Sequence, residues 1–137
     1  MENIILKKVW EDDTMIEVEI TAISKHVTSY QLCYVNEMEM QEMVTKIERY
    51  IKDFTKEAYI QFGEKEGNYP PAFSMKLLNA NSCGHIKIEV DIEIDDVDDR
   101  SHRCKYFVKS ELGAIERFGE RTLTLYKSEI GTSISMF

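Results

Sequence analysis

The most constraining feature of this sequence is a strict alternation of apolar and charged residues from Ile86 to Ile94. Isoleucine or valine occupies every second position, and lysine, glutamate or aspartate occupies each position between them. Successive side chains of a β-strand point to opposite faces, so this pattern predicts a strand that buries one face and exposes the other to water. One wetted face is typical of antiparallel sheets, because parallel sheets are normally covered on both sides.

A second alternating segment runs from His102 to Val108, just after an acidic stretch at residues 95–99. Two basic residues, Arg103 and Lys105, take positions between its apolar ones. Opposite charges at directly paired positions stabilise neighbouring strands, so we expect a hairpin in which these basic side chains face the acidic ones. The acidic stretch would then form the tip of that hairpin.

The first quarter of the chain shows a similar arrangement. Residues 15–22 and 28–34 each alternate between apolar and polar side chains around a short break. This spacing predicts another antiparallel hairpin. The apolar side of its second strand is assigned to Tyr30, Leu32 and Tyr34, which occupy alternate positions.

One helix is predicted at residues 37–54 and a second at residues 110–127. Asn36 precedes the first helix and Glu39 follows three positions later, which is the spacing of a capping box. Ser110 is assigned as the cap of the second helix. Apolar side chains at three- and four-residue spacing define the buried face of the first helix: Met40, Met43, Val44, Ile47, Ile51 and Phe54.

These elements predict an α+β fold in which an antiparallel sheet carries both helices on one face. Residues 1–137 are treated as a single domain, because a chain of this length buries enough surface to fold without disulfides or metals. The halves 1–66 and 72–137 share the order strand, strand, strand, helix, strand. An internal β-β-β-α-β duplication would explain this order. Convergence on hairpin-and-helix packing is the alternative.

Charge and cysteine content narrow the classes of partner. The net charge of −8 disfavours nucleic acid and anionic membranes, because both are bound through lysine and arginine. The three cysteines are an odd number at irregular spacing, and the first residues resemble neither a signal peptide nor a membrane span. We therefore expect a cytoplasmic protein with reduced cysteines, for which a charged partner would be basic.

The cysteines, histidines and acidic residues could also indicate a metal site or a catalytic site. Cys83 lies near His85, and His102 lies near Cys104, which invites a zinc interpretation. In the predicted hairpin, however, His85 and Cys104 are several residues apart along the strands, too far for one metal at about 3.3 Å per residue. Residues 95–106 lack the glycine and the glutamate of a calcium loop, and no catalytic motif is present. No catalytic residue, metal or cofactor is therefore predicted.

The remaining functional signal is electrostatic. The exposed side of the second hairpin and its tip carry more carboxylates than the nearby basic side chains neutralise, and such an excess attracts a basic protein. The alternative is a solvated hairpin tip that binds nothing. Tyr69, in the preceding loop, is assigned as the aromatic anchor of an alternative contact. The predicted partner-binding residues are Glu89, Asp91, Glu93, Asp95, Asp96, Asp98, Asp99 and Tyr69.

The order of the elements also resembles a known family over most of the chain. Cys33-Tyr34 leads into a capped helix, Gly84 opens an acidic strand, and Cys104 to Val108 leads into the segment Glu111-Leu112-x-x-Ile115-x-x-Phe118. In this order the chain resembles small bacterial immunity proteins of the WapI type. The resemblance implies neutralisation of a toxin in the cytoplasm by occlusion, without catalysis or a cofactor. The alternative is a small enzyme or ligand-binding protein of unknown substrate.

Overall fold

A computed structural model describes residues 2–63, 72–95 and 100–137, except for the side chains of Asp95 and Ser101. The described residues form eight strands and two helices. In chain order these elements are β1 (Asn3–Glu11), β2 (Ile16–Ile23), β3 (Thr28–Val35), α1 (Glu37–Lys52), β4 (Ala58–Phe62), β5 (Ala72–Leu77), β6 (His85–Asp95), β7 (Ser101–Glu111), α2 (Leu112–Leu125) and β8 (Ser133–Ser135).

The described strands form two antiparallel sheets of four strands each. The first sheet has the order β3-β2-β1-β8, and the second has the order β4-β5-β6-β7. The predicted α+β class with antiparallel pairing is confirmed, and the strands are divided between two sheets. The first three strands of each half lie side by side, whereas the fourth strand of each half pairs with a strand of the other half.

The hairpin of β6 and β7 has the register that its alternation predicts. Ile88 is directly opposite Val108, and both side chains are completely buried. Asp91 is directly opposite Lys105 on the other face of the same hairpin. One face of this hairpin is therefore part of the core, and the other carries paired charges.

The side of β3 that faces the core is the opposite of the predicted side. Cys33 lies directly opposite Val18, and both side chains are completely buried. Tyr30 and Tyr34 therefore point outward, with 57% and 40% of their surface exposed. Directly opposite residues of an antiparallel pair share a face, so the register with β2 decides which side of β3 is buried. The prediction was wrong because both sides of β3 carry apolar side chains, including Val35 on the inward side.

Helix α1 begins with the predicted capping box. The Asn36 side chain accepts a 2.8 Å hydrogen bond from the backbone N–H of Glu39, and Glu39 Oε1 accepts one from the backbone N–H of Asn36. Helix α2 has Glu111 as its N-cap residue, without a hydrogen bond from its side chain. The assignment of Ser110 as the cap was wrong because this residue continues the alternation of β7, where it lies opposite the buried Ile86.

The two helices pack against each other and contribute their buried faces to one core cluster. They approach closely at Gly119, where an added Cβ atom would lie 3.0 Å from Cγ2 of Ile47. A contact this short leaves little room for any side chain, so glycine permits the observed spacing of the helices. Phe54, which was predicted on the buried face of α1, lies beyond the end of the helix and is 36% exposed.

Hydrogen bonds as well as apolar contacts join the two sheets. The hydroxyl of Tyr106 donates to the backbone carbonyl of Ala22 at 2.6 Å and is also hydrogen bonded to the hydroxyl of Ser29. The side-chain amide of Gln31 donates to the backbone carbonyl of Glu93 at 3.4 Å. Buried polar groups are tolerated when they are hydrogen bonded, so these contacts help to determine how the sheets are positioned on each other.

Candidate functional site

The outward side of the first sheet is exposed and rich in aromatic side chains. Trp10 and Tyr34 are 41% and 40% exposed. Their rings meet edge to face, with ring centroids 5.9 Å apart. This is a favourable geometry for two aromatic rings. We refer to the outward side chains of Trp10, Glu17, Glu19, Tyr30, Leu32 and Tyr34 as the aromatic face.

A β-bulge brings Trp10 onto the aromatic face. Lys8 points inward and is completely buried, so a regular strand would also turn Trp10 inward two residues later. The pairing of β1 with β2 shifts between these two residues, which places Trp10 opposite Glu17. Glu17 is in turn opposite Tyr34 on β3. The bulge is therefore the feature that places the tryptophan beside the tyrosine.

Two carboxylates lie among the exposed rings. Glu17 is paired between Trp10 on one side and Tyr34 on the other. Glu19 is directly opposite Leu32. Among the residues that the structure describes, neither glutamate forms an ion pair with a lysine or arginine. The charge of Glu17 is therefore available to a basic group from another protein, whereas Glu19 also lies directly opposite the exposed Lys7 on β1.

The turn after β1 adds negative charge beside the aromatic face. Asp12 and Asp13 are both exposed in this turn. The Asp12 carboxylate accepts hydrogen bonds of 2.8 and 2.9 Å from the backbone N–H groups of Thr14 and Met15. These bonds favour the ionised carboxylate and lower the pKa of Asp12. A fixed negative charge therefore lies two residues from Trp10.

The carboxylates predicted on the outward side of β6 are paired within their own hairpin. Asp91 accepts hydrogen bonds of 2.9 and 3.3 Å from Arg103, and Glu89 Oε1 lies 2.7 Å from Nζ of Lys105. The bonds to Asp91 raise the pKa of Arg103, and those to Glu89 raise the pKa of Lys105. A partner that contacts these two carboxylates would compete with the basic residues that already bind them.

The rest of the predicted acidic site is only partly described. Glu93 is half-buried and lies directly opposite Arg103. Asp95 is the last residue of β6, and its side chain is not among those described. The residues Asp96, Asp98, Asp99 and Tyr69 lie outside the described ranges. Their roles in binding stay predictions.

The cysteines and histidines are dispersed over the described structure. Within residues 2–63, 72–95 and 100–137, no group of three histidine, cysteine, aspartate or glutamate side chains is placed to hold a metal ion. Cys104 is opposite Ile92, whereas His85 begins β6 and is opposite Glu111. Cys33 lies in the core, where burial raises the pKa of its thiol to about 12. A thiol with this pKa is protonated and unreactive near neutral pH.

The sequence reasoning missed the aromatic face because it assigned Tyr30 and Tyr34 to the core. One signal was present, since a tyrosine hydroxyl needs a hydrogen-bond partner when buried and cysteine and valine do not. Cys33 and Val35 are therefore better candidates for the inward side of β3. The bulge that exposes Trp10 leaves no comparable signal, because it arises from a change of pairing.

Comparison with known proteins identifies no relative of this chain. No family model matches it, and no curated protein or solved structure matches it. In the part of the chain that the structure describes, no helix has both the length and the apolar character of a membrane span. The surfaces of the molecule are therefore the basis for inferring its function.

Proposed function

We propose that this protein binds a basic protein partner without catalysing a reaction, and that the aromatic face is its main contact surface. The observation that carries the proposal is the exposed pair of Trp10 and Tyr34 with Glu17 between them in the sheet. Tryptophan and tyrosine often dominate the binding energy of protein interfaces. Two rings that are already packed together also lose less side-chain freedom when a partner covers them.

The charge of the aromatic face favours a basic partner. Glu17 offers a carboxylate beside two aromatic rings, and the whole chain has a net charge of −8. An arginine from the partner would pair with Glu17 while its planar guanidinium packs on Trp10. The net charge would increase the association rate with a basic protein at low salt. The predicted acidic tip would add to the same attraction.

The proposed partner is a secreted, nuclease-type toxin, for which this chain would act as an immunity protein in the bacterial cytoplasm. Support comes from the resemblance to WapI-type immunity proteins in the order of elements. The acidic charge is also suitable, because a protein that binds nucleic acid presents lysine and arginine to the phosphates. Neutralisation by occlusion needs a complementary surface and no catalytic group.

The test compares two variants that each lose exposed aromatic rings. The first variant, Trp10→Ser/Tyr30→Ser/Tyr34→Ser, removes the rings of the aromatic face. The control, Tyr59→Ser/Phe107→Ser, removes rings that are 44% and 50% exposed on the second sheet. Each protein is co-expressed with the product of the adjacent gene, and the affinity for a co-purified basic protein is measured by surface plasmon resonance.

We expect the control to bind like the wild type and the first variant to bind at least about 100-fold more weakly, since each hot-spot ring contributes roughly 2 kcal/mol or more. Equal affinity of the first variant and the wild type would contradict the role of the aromatic face. A third variant replaces Asp95, Asp96, Asp98 and Asp99 by Asn. If only this variant lost binding, the acidic tip would be the contact surface instead.

A further inference from the structure

A cleft of about 830 Å³ lies at the end of the second sheet, where β6 begins and β7 ends. Pockets that bind small molecules usually have volumes of roughly 300–1,000 Å³ and combine an apolar lining with a few polar groups. This cleft contains none of the residues of the aromatic face. Its lining includes the apolar side chains of Leu78 and Phe137 and the polar side chains of Asn79, Asn81, Lys87 and Lys109.

Two like charges face each other in this cleft. Lys87 and Lys109 occupy directly opposite positions on β6 and β7, and both are exposed. Within the described residues, neither lysine forms an ion pair, although Arg103 and Lys105 of the same hairpin both do. Like charges directly opposite each other destabilise a sheet. A bound anion between the two ammonium groups would relieve this repulsion and gain two charge-assisted contacts.

Three glutamates also line this cleft, but among the described residues none of them forms an ion pair with Lys87 or Lys109. Glu2 accepts a hydrogen bond from the backbone N–H of Lys109, with a donor–acceptor distance of 3.3 Å. Glu57 lies 3.7 Å from the ammonium group of Lys76. Glu111 is directly opposite His85. Among the described residues, therefore, neither of the two ammonium groups has a carboxylate within ion-pair distance.

Uncharged donors supplement the lysines. Asn81 Oδ1 accepts hydrogen bonds of 2.9 and 3.0 Å from the backbone N–H groups of Cys83 and His85. The carboxamide is thereby oriented, and its N–H₂ group donates no hydrogen bond to the described residues. Gly84 adopts a φ of 79° in this turn, a conformation that glycine tolerates best. Ser110, in the wall of the cleft, has a buried hydroxyl with no hydrogen-bond partner among the described residues.

We propose that this cleft binds a small organic anion. Its phosphate or carboxylate group lies between Lys87 and Lys109 and accepts a hydrogen bond from the Asn81 amide, and its apolar part contacts Leu78 and Phe137. The mixed lining distinguishes this site from a simple basic patch, because inorganic ions would use the lysines and leave the apolar wall uncovered. The protein would therefore have a ligand site that is separate from its protein-binding surface.

The experiment uses phenyl phosphate and benzoate as probes, with phenol and inorganic phosphate as the matching fragments. Binding is followed by two-dimensional amide NMR of the full chain at constant ionic strength. The variant Lys87→Gln/Lys109→Gln removes both charges from the cleft. The control, Lys25→Gln/Lys52→Gln, removes two exposed lysines that do not line the cleft, so the change in net charge is the same.

We expect saturable shifts of the amides at residues 79–87 and 109–111 with at least one aryl anion, and weaker binding of both fragments. The affinity should fall roughly tenfold or more in the cleft variant and stay unchanged in the control, because charged hydrogen bonds are removed only from the former. Absence of saturable shifts at millimolar probe, or an equal loss of affinity in both variants, would overturn the proposal. The ratio of phenyl phosphate to benzoate affinity then identifies the preferred anionic group.

Discussion

Lys8 and Tyr126 are joined by a 2.7 Å hydrogen bond from the lysine Nζ to the backbone carbonyl that follows the last turn of α2. The same Nζ donates to the carbonyl of Ser128 at 2.7 Å and lies 2.7 Å from Oε2 of Glu11. Lys8 is completely buried, and the last turn of α2 has no basic residue of its own. A positive charge from β1 thus stabilises the negative end of the helix.

The first prediction concerns this buried lysine. Lys8→Met keeps a similar side-chain volume but leaves the carbonyls of Tyr126 and Ser128 without their donor. We expect the free energy of unfolding, measured by urea denaturation, to fall by about 2–4 kcal/mol, because two partly buried carbonyls lose their donor and Glu11 loses its ion pair. Lys7→Met is the control, since Lys7 is exposed on the same strand and should change stability by about 0.5 kcal/mol or less. Equal stability of both variants would contradict the assigned role.

The second prediction separates two glycines of α2. A Cβ atom at Gly113 would approach only the flexible end of Arg117, at 3.4 Å, whereas one at Gly119 would lie 3.0 Å from Cγ2 of Ile47. Gly113→Ala should therefore stabilise the protein by about 0.5–1 kcal/mol through helix propensity. Gly119→Ala should give no such gain, because the branched side chain of Ile47 must move to admit the methyl group.

A double-mutant cycle tests the cause of this difference. Ile47→Ala alone should reduce the free energy of unfolding by about 2–5 kcal/mol, because the side chain is buried between the helices. In that background Cγ2 is absent, so Gly119→Ala should become stabilising. If Gly119→Ala had the same effect in both backgrounds, the close contact of the two residues would not determine the spacing of the helices.

The third prediction concerns alkaline pH. Burial raises the pKa of Tyr50 from 10.0 to about 12, and its hydroxyl donates to the backbone carbonyl of Leu78. Below about pH 10 the phenol of Tyr50 is protonated in both the folded and the unfolded states. Its ionisation therefore does not change the free energy of unfolding in this range. Above this pH the unfolded chain loses the proton first, and the free energy of unfolding falls as the pH rises toward 12.

Tyr50→Phe should therefore flatten the dependence of the unfolding free energy on pH between 10 and 12. Cys33 contributes in the same direction, because burial raises the pKa of its thiol from 9.0 to about 12. The measurement is best made in a Cys33→Ala background by urea denaturation at a series of pH values. An unchanged slope after removal of the Tyr50 hydroxyl would contradict the prediction.

The fourth prediction concerns thiol reactivity. Cys83 is exposed, Cys104 is half-buried and Cys33 is buried. At pH 8 we expect one fast reaction with a disulfide reagent, and Cys83→Ser should abolish it. Cys33 should react only when the chain unfolds, because its thiol is both inaccessible and protonated. Rapid labelling of Cys33 in the native protein, detected by mass spectrometry, would indicate that the core opens readily.

The contrast between β6 and β3 shows how far the fold could be predicted. In β6 every inward position is aliphatic and every outward position from Lys87 to Asp95 is charged, so only one orientation is plausible. In β3 both sides are partly apolar, and the register with β2 decides between them. Burial therefore follows from sequence where the two sides differ strongly in polarity, and from pairing where they do not.

The candidate binding surface was less predictable than the fold. A bulge moves Trp10 to the outer face, and its position depends on how β1 pairs with β2. The position of this bulge has no local pattern in the sequence. The pairing of Lys87 with Lys109, in contrast, follows from the register of the predicted hairpin. Arg103 and Lys105 could be predicted from the sequence to face the carboxylates of β6, but the individual pairs Arg103–Asp91 and Lys105–Glu89 were identified only in the structure.

The pairing of β4 with β5 and of β8 with β1 has a consequence for cooperativity. Each half of the chain completes the sheet of the other half, so neither sheet is intact unless both halves are folded. Fragments 1–63 and 72–137 should therefore be poorly structured when separate and should reassemble as a noncovalent heterodimer when mixed. In the intact chain the two sheets should unfold together in one cooperative transition, because each sheet contains one strand from the other half of the chain.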